Sequence, residues 1–371
     1  MRILFVGESA AGHLSPIVAV YEEIKRIIES GKYSEPLEFM LISSKSHFLQ
    51  EVLEGTEMKY KIIHAAKYRN SFSLQSIFDF FRFIAGFFQS IYYVYNYMPD
   101  IIFSKGGYVS FPVVVIGWIF RIPIIIHESD AVASPIDKFM FRFAKRVAIS
   151  FSDSKGIYNS PKVFFSGNPV RSFITQGDRQ EALKNFVLNE EKPIILIMGG
   201  SEGAEEINNL VLEILSDLLK NYQIIHQCGI GNYEKVKAVV EKLNIPNLND
   251  YHLFAFFKKR IANAYAACDL AVSRAGANTV SEIMAVGKPS ILIPLASAIS
   301  DKQKKNAYHY SQTGASVLLS EKNLKPHLLL SVINDIFHNR LKTMEMKRAA
   351  RQLAHPEAAK KIAEKIMEVA G

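Results

Sequence analysis

The stretch that most constrains the fold is residues 273–306. It opens where the apolar run CDLAVS stops at a small-residue turn, Arg274, Ala275, Gly276 and Ala277. A helix then starts near Asn278 or Thr279, carries Glu282 in its first turns, and is ended by Gly287 and Pro289. ILIP follows as a second short buried strand, and its exit loop runs into Asp301, Gln303 and Asn306. This is strand–helix–strand, the parallel α/β unit. Its polar residues fall where strands end and helices begin, the edge at which open α/β sheets bind ligands. Free amides at a helix start suit phosphate, whereas a carboxylate such as Glu282 suits a vicinal diol. Phosphate, ribose and a polar sugar together point to a nucleotide-sugar.

At 371 residues the chain exceeds one ordinary core, and we divide it into 1–168, 169–350 and a C-terminal helical segment 351–371. The net charge of +8 fits acidic partners, among them nucleic acid, anionic lipid and phosphorylated substrates, and equally fits a solvated basic surface. Cys228 and Cys268 lie far apart in apolar contexts, which suits a reducing cytoplasm better than a disulfide or zinc framework. The N-terminal apolar run before Gly7 is too short for a signal peptide and reads as a buried strand.

Along the chain, ILFVG is a strand, GESAAGHLSP its loop, and PIVAVYEEIKRIIES an amphipathic helix, a Rossmann-like opening. LEFMLISS and KYKIIHAA are the next strands. Residues 67–98 then hold twelve aromatic residues and four charges, Lys67, Arg69, Asp79 and Arg82. Ile77, Phe81, Ile84, Phe88 and Ile91 follow a helical period and are expected to face the sheet, with Phe80, Phe83 and Phe87 on another side. A helix apolar nearly all round is deeply buried or meets lipid, and its basic flanks favour an interfacial patch. Residues 109–126 are apolar enough to suggest a span, but Pro112, Gly117, Arg121 and Pro123 argue for strand, turn, helix and strand. Phe139, Phe141 and Phe143, set among Lys138, Arg142, Lys145 and Arg146, suit the border of the same patch. In the second half, PIILIMGGSEGAEEINN is strand, glycine turn and helix. Gly199, Gly200 and Gly203 let the backbone approach a phosphate, and Ser201 supplies a hydroxyl. Residues 349–371 read as one helix. The sequence contains no Asp-x-Asp pair suited to holding a metal against a diphosphate, so neither metal nor cofactor is expected.

The blocks SRAGANTVSE and DKQKKNA, with GGYVS at 106–110 and GNPVR at 167–171, resemble the MurG family. These are the bacterial UDP-N-acetylglucosamine transferases that convert lipid I to lipid II in peptidoglycan synthesis. The resemblance extends over nearly the whole chain and is strongest in the C-terminal half. It implies an α/β GT-B fold, two Rossmann-like domains facing across a cleft, with the last helix returning to the first domain. It implies an inverting transfer of GlcNAc from UDP-GlcNAc to the MurNAc 4-hydroxyl. The implied donor-binding residues are Arg171, Gly200, Ser201, Gly203, Phe257, Lys258, Ala277, Glu282, Gln303 and Asn306. Arg171 would reach the phosphates, Glu282 the ribose, and the Phe257–Lys258 backbone the uracil. The implied acceptor-binding residues are Gly12, His13, Tyr108, His127, Glu128 and Asp130, with His13 as the general base. The residues alone leave His13 as either a helix cap or a base. The chain departs from the family at Glu8, Ser9 and Ala11, where glycines are usual, and at Ser129 and Asp130, where the family has Gln-Asn. Both departures touch the acceptor side. They keep two alternatives open: a related transferase with another lipid-linked acceptor, and a non-catalytic nucleotide-sugar-binding homologue. The implied partners are UDP-GlcNAc, a lipid-linked acceptor, an anionic membrane surface and other cell-wall synthesis proteins, with no nucleic acid. The implied location is cytoplasmic and peripheral, on the inner face of the cell membrane.

Overall fold

The computed structural model describes residues 1–9, 11–31, 36–46, 48–65, 74–152, 159–200, 203–295 and 301–371. Of Ala11, Phe48, residues 74–78 and Phe80 it describes the backbone alone. The chain divides into two compact units, Met1–Arg171 with His355–Gly371, and Ser172–Ala354.

The first unit is built on seven parallel strands, β1 (Arg2–Val6), β2 (Glu38–Ser43), β3 (Lys59–Ile62), β4 (Ile101–Ser104), β5 (Ile124–Glu128), β6 (Arg146–Ile149) and β7 (Val163–Phe165). Their order is β3-β2-β1-β4-β5-β6-β7, so the winding reverses between β1 and β4. Ile3 pairs with Phe39 on one side and with Ile101 on the other. The apolar strand runs have a plain cause: helices cover both faces of a parallel sheet. Ile3 and Phe5 join the core cluster under α1 (Ala11–Glu29), whereas Leu4 and Val6 join the opposite cluster, the alternation a strand imposes. The short helix α2 (Phe48–Val52) completes the first face. The other face is covered by α3 (Leu74–Tyr97), α4 (Ser110–Ile119) and α5 (Pro135–Met140).

The second unit repeats the plan with β8 (Ile194–Met198), β9 (Gln223–Gln227), β10 (Tyr251–Phe254), β11 (Leu270–Ser273), β12 (Ser290–Leu292) and β13 (Ser316–Leu318). The order is β10-β9-β8-β11-β12-β13, reversing between β8 and β11. Its helices are α6 (Arg179–Asn185), α7 (Glu205–Asn221), α8 (Tyr233–Val240), α9 (Ile261–Ala267), α10 (Ala277–Ala285), α11 (Asp301–Gln312), α12 (Pro326–His338) and α13 (Arg340–Gln352). The final helix α14 (Ala358–Ala370) belongs to the first unit, where Ile362, Ala363, Ile366 and Met367 are buried in the cluster that holds Ile17, Tyr21 and Ile24 of α1. Residues 349–371 are therefore not one helix. Pro356 separates α13 from α14, since it cannot donate to a continuing helix and biases its predecessor away from helical backbone.

The expected sheet-facing stripe of α3 is also corrected. Phe81 and Phe88 are 63% and 67% exposed, while Gly86, Ser90 and Val94 are buried. A Cβ at Gly86 would run into the His64 carbonyl oxygen, so the helix lies close to the chain leaving β3 along a line of small residues. Large side chains cannot fit there, and the aromatics are displaced outward. Phe87, assigned above to the far side, instead packs partly against the core with Ile91. Ile77 and Phe80, like Lys67 and Arg69, lie outside the side chains described. Among the described residues, no helix is long and apolar enough to cross a membrane.

Candidate functional site

In the first unit the reversal between β1 and β4 brings the β1–α1 connection beside the GGYVS turn. Gly7 lets its neighbours pack closely, because a Cβ there would meet Ile17 Cδ1 at 2.9 Å, Lys105 Cβ at 3.2 Å and His13 Cβ at 3.6 Å. Gly106 and Gly107 have positive φ, 77° and 84°, and turn their amides outward in the manner of an anion nest. The Gly106 N–H donates to Ser104 Oγ at 3.1 Å, and carboxylates of the chain itself take the next two amides. Gly107 N donates to Asp137 Oδ1 at 2.9 Å, and Tyr108 N donates to Glu8 Oε1 at 3.0 Å. Asp137 is held by the N-cap of α5, its own N–H donating to Ser134 Oγ at 3.2 Å.

His13 lies in the first turn of α1, which begins at Ala11, earlier than the loop reading implied. It is half-buried, and its Nδ1 is buried without a hydrogen-bond partner. Burial pushes its pKa below the usual histidine value and Lys105 pushes the same way, while Glu8, Asp137 and Asp130 oppose them. The outcome is an imidazole held neutral at neutral pH, the form that accepts a proton.

At the end of β5, His127 Nε2 lies 3.0 Å from Ser150 Oγ. The Ser150 hydroxyl donates to the Glu128 carbonyl oxygen at 3.0 Å, so His127 donates from Nε2 and Nδ1 is its bare nitrogen. Burial and then Lys105 hold this ring well below the usual range, against the pull of the Gly167 backbone. Glu128 is buried and accepts the Asp130 N–H at 2.9 Å, closing the turn that presents Asp130. Gly12, His13, Tyr108, His127, Glu128 and Asp130 thus gather at the C-terminal edge of three adjacent strands. Arg171, half-buried, ends the first unit. Just before it, Gly167, at φ 82°, packs against His355, whose ring meets Phe165 edge-on at 4.9 Å.

In the second unit the reversal lies between β8 and β11. Gly200 (φ 90°) has open space where a Cβ would stand, whereas a Cβ at Gly203 (φ 84°) would strike the Cys228 carbonyl and the Asn232 side chain. The helix that follows, α7, has no side-chain cap on its first amides. Gln227 ties this turn to the next loop: its Nε2 donates to Gly200 O at 3.2 Å, and its Oε1 accepts from Phe257 N at 2.8 Å. Phe257 has therefore spent its amide, and its buried ring packs on Phe254 and Phe186. Lys258 beside it is exposed. Ser201 lies outside the described residues.

Ala277 opens α10 beyond an N-cap, Gly276, without a side-chain bond, and Glu282 sits in the second turn, half-buried. Glu282 Oε2 accepts from the Tyr265 hydroxyl at 2.9 Å. Tyr265 is fully buried, and burial followed by the nearby Glu282 charge raises its pKa, so it remains a neutral donor. Gln303 Oε1 accepts the Leu295 N–H at 3.1 Å at the start of α11, and Asn306 is fully buried one turn on. The residues that motif reading missed are Lys105, Tyr265, Gln227 and Arg274. Arg274 reads as part of a small-residue turn, yet it is 8% exposed and bridges Glu206, at 2.8 Å, and Glu321. The available signal was charge at the end of an apolar strand, which Lys105 and Arg274 share.

The family 28 glycosyltransferase N-terminal domain matches residues 3–149, and the corresponding C-terminal domain matches residues 194–364. A UDP-N-acetylglucosamine–N-acetylmuramyl-(pentapeptide) pyrophosphoryl-undecaprenol N-acetylglucosamine transferase of Legionella pneumophila is 33% identical over 355 residues, 94% of this chain and 93% of that protein. A Bacillus anthracis transferase of the same name, numbered 2, is 33% identical over 91% of this chain and 92% of its own length. Among solved structures, Acinetobacter baumannii MurG superposes with a TM-score of 0.72 at 23% identity, covering 99% of this chain and 100% of that one. The UDP-GlcNAc 2-epimerase of Neisseria meningitidis, bound to UDP-GlcNAc, gives 0.70 at 14% identity over 99% and 100%. Those two likenesses bear on fold alone. With both domains matched in order and a third of the residues identical along almost the full length, this chain is a GT-B glycosyltransferase of the MurG family.

Proposed function

We propose that the chain transfers GlcNAc from UDP-GlcNAc to the MurNAc 4-hydroxyl of lipid I, giving lipid II with inversion at the anomeric carbon. What carries this reading is the match, over more than nine-tenths of both chains, to transferases named for that acceptor. The geometry is compatible with it. Neutral His13 takes the hydroxyl proton as the oxygen attacks the anomeric carbon, and the bond to UDP breaks on the opposite side. The uncapped amides of α7 and the Arg171 guanidinium are suited to the charge on the departing diphosphate. Glu282, steadied by Tyr265, offers a carboxylate suited to the ribose diol. Gly200, Ser201, Gly203, Ala277, Gln303 and Asn306 complete the donor side, and the Phe257–Lys258 backbone the uracil rim. Gly12, Tyr108, His127, Glu128 and Asp130 complete the acceptor side.

The chain works on the membrane face where lipid I resides. Phe81, Phe88, Tyr92, Tyr95 and Trp118 are each more than half exposed on one unit. Their neighbour Phe139 carries the Arg142 guanidinium over its ring at 5.5 Å. Aromatic faces edged by arginine suit an anionic interface.

One observation favours a second reading, another lipid-linked acceptor: Asp137 and Glu8 already occupy the Gly107 and Tyr108 amides. Incubation of labelled UDP-GlcNAc with lipid I and with a panel of polyprenyl-diphosphate sugars tests both. Label in lipid II with a β-linkage by NMR supports the first. Label only in another lipid product replaces it with the second.

A further inference from the structure

The described buried residues of the first unit include one cation, Lys105, which is 4% exposed. The motifs give it no role. Its backbone N–H donates to Val6 O at 2.8 Å, which sets it at the end of β4 beside Gly7. Because Gly7 has no side chain, Lys105 and His13 approach each other over it, their Cβ atoms 3.2 and 3.6 Å from where a Gly7 Cβ would stand. Carboxylates from separate elements act on the same ring: Glu8 of the β1–α1 connection and Asp137 of α5, which hold the Tyr108 and Gly107 amides, and Asp130 at the exit of β5. His127, on β5, is the other titratable neighbour, and it too feels Lys105.

We propose that Lys105 is a positioning residue for glycosyl transfer, supplying the positive charge that keeps the His13 imidazole neutral and proton-accepting among Glu8, Asp130 and Asp137. Carboxylates around an imidazole favour imidazolium, which has no lone pair to take a hydroxyl proton. Burial resists this, and the Lys105 charge resists it further. Without Lys105 the carboxylates are opposed by burial alone. The same charge fits a pocket for an anionic acceptor, since it offsets the carboxylates that this chain has in place of family glycines and an amide. The proposal rests on His13 as the base of the proposed reaction, but what it says of the imidazole is measurable without any substrate.

The test is an NMR titration of full-length protein labelled in histidine, the His13 signal being assigned by its loss in His13→Asn. Lys105→Met should raise the His13 protonation constant by about tenfold, the scale of removing one unit charge beside it in a partly screened pocket. Lys105→Arg should leave the constant in place, and Glu8→Gln should lower it. In the pH profile of transfer, the acidic limb of Lys105→Met should move to higher pH. Should Lys105→Met fail to fold, Lys105→Gln is the second neutral variant. An unmoved His13 titration in either folded neutral variant overturns the proposal. A moved titration in a protein that never glycosylates lipid I would count against the acceptor reading and leave the Lys105 assignment standing.

Discussion

Glu282 and Tyr265 form a pair whose separation can be predicted in magnitude. In Glu282→Ala the donor loses a carboxylate partner for its diol, and charge-assisted hydrogen bonds of this kind are worth about 1.5–3 kcal/mol. UDP-GlcNAc affinity should fall about 10- to 150-fold. The same variant strips the fully buried Tyr265 hydroxyl of its acceptor, leaving an orphaned donor that costs about 1–3 kcal/mol of stability. Tyr265→Phe removes the steadying bond but not the carboxylate. It should cost less than about 1 kcal/mol in affinity, close to the net worth of one neutral hydrogen bond. The double variant should bind as weakly as Glu282→Ala yet regain much of the lost stability, because no buried hydroxyl remains unpaired. Calorimetry with UDP-GlcNAc and thermal unfolding on the four proteins measure both quantities. Unchanged affinity in a folded Glu282→Ala would refute the donor role. A double variant no more stable than Glu282→Ala would refute the coupling.

Three further outcomes follow from burial. His226 is fully buried between Tyr251, at 2.7 Å, and Asn208, at 3.0 Å, and burial takes its pKa down to about 3. The unfolded chain binds that proton near pH 6.5, so stability should decline as pH falls from about 6.5 towards 3, by about 1.4 kcal/mol per pH unit for this group. His226→Gln should flatten the decline, and urea unfolding across that range measures it. Phe81→Ser with Phe88→Ser should reduce flotation with anionic vesicles and leave the melting temperature near wild type, because both rings are already exposed. By contrast, Gly86→Ala should lower the melting temperature by pushing α3 off the His64 carbonyl, a strain of about 1–3 kcal/mol. Unaltered flotation in the first variant would contradict the membrane role of these rings, and an unaltered melt in the second would contradict the packing described for α3.

The strand–turn–helix repeats were legible because each sheet is buried on both faces, so its strands are short apolar runs punctuated by glycine. The donor side was legible for the same reason: Gly200, Gly203 and Glu282 stand in local sequence beside the strand ends that position them. Partnerships across long sequence gaps were not legible. Tyr265 read as one more core residue of an apolar helix, and only the fold aims its hydroxyl at Glu282. Glu8 read as one of the lost family glycines, and Asp130 as added negative charge on the acceptor side. The sequence placed Lys105 a hundred residues from the loop it neutralises, so its contribution was invisible. Periodicity misled on α3 because hydrophobicity marks core and exposed aromatic patch alike, while the true inner line is Gly86, Ser90 and Val94.

The central claim is a base-assisted transfer of GlcNAc to lipid I, and single-turnover transfer from labelled UDP-GlcNAc by wild type and His13→Ala tests it most directly. Wild type should give labelled lipid II, and His13→Ala a rate lower by about 10²–10⁴-fold with UDP-GlcNAc binding retained. Wild-type turnover in the folded His13→Ala protein would contradict the role of His13, and absence of lipid II with wild type would contradict the acceptor.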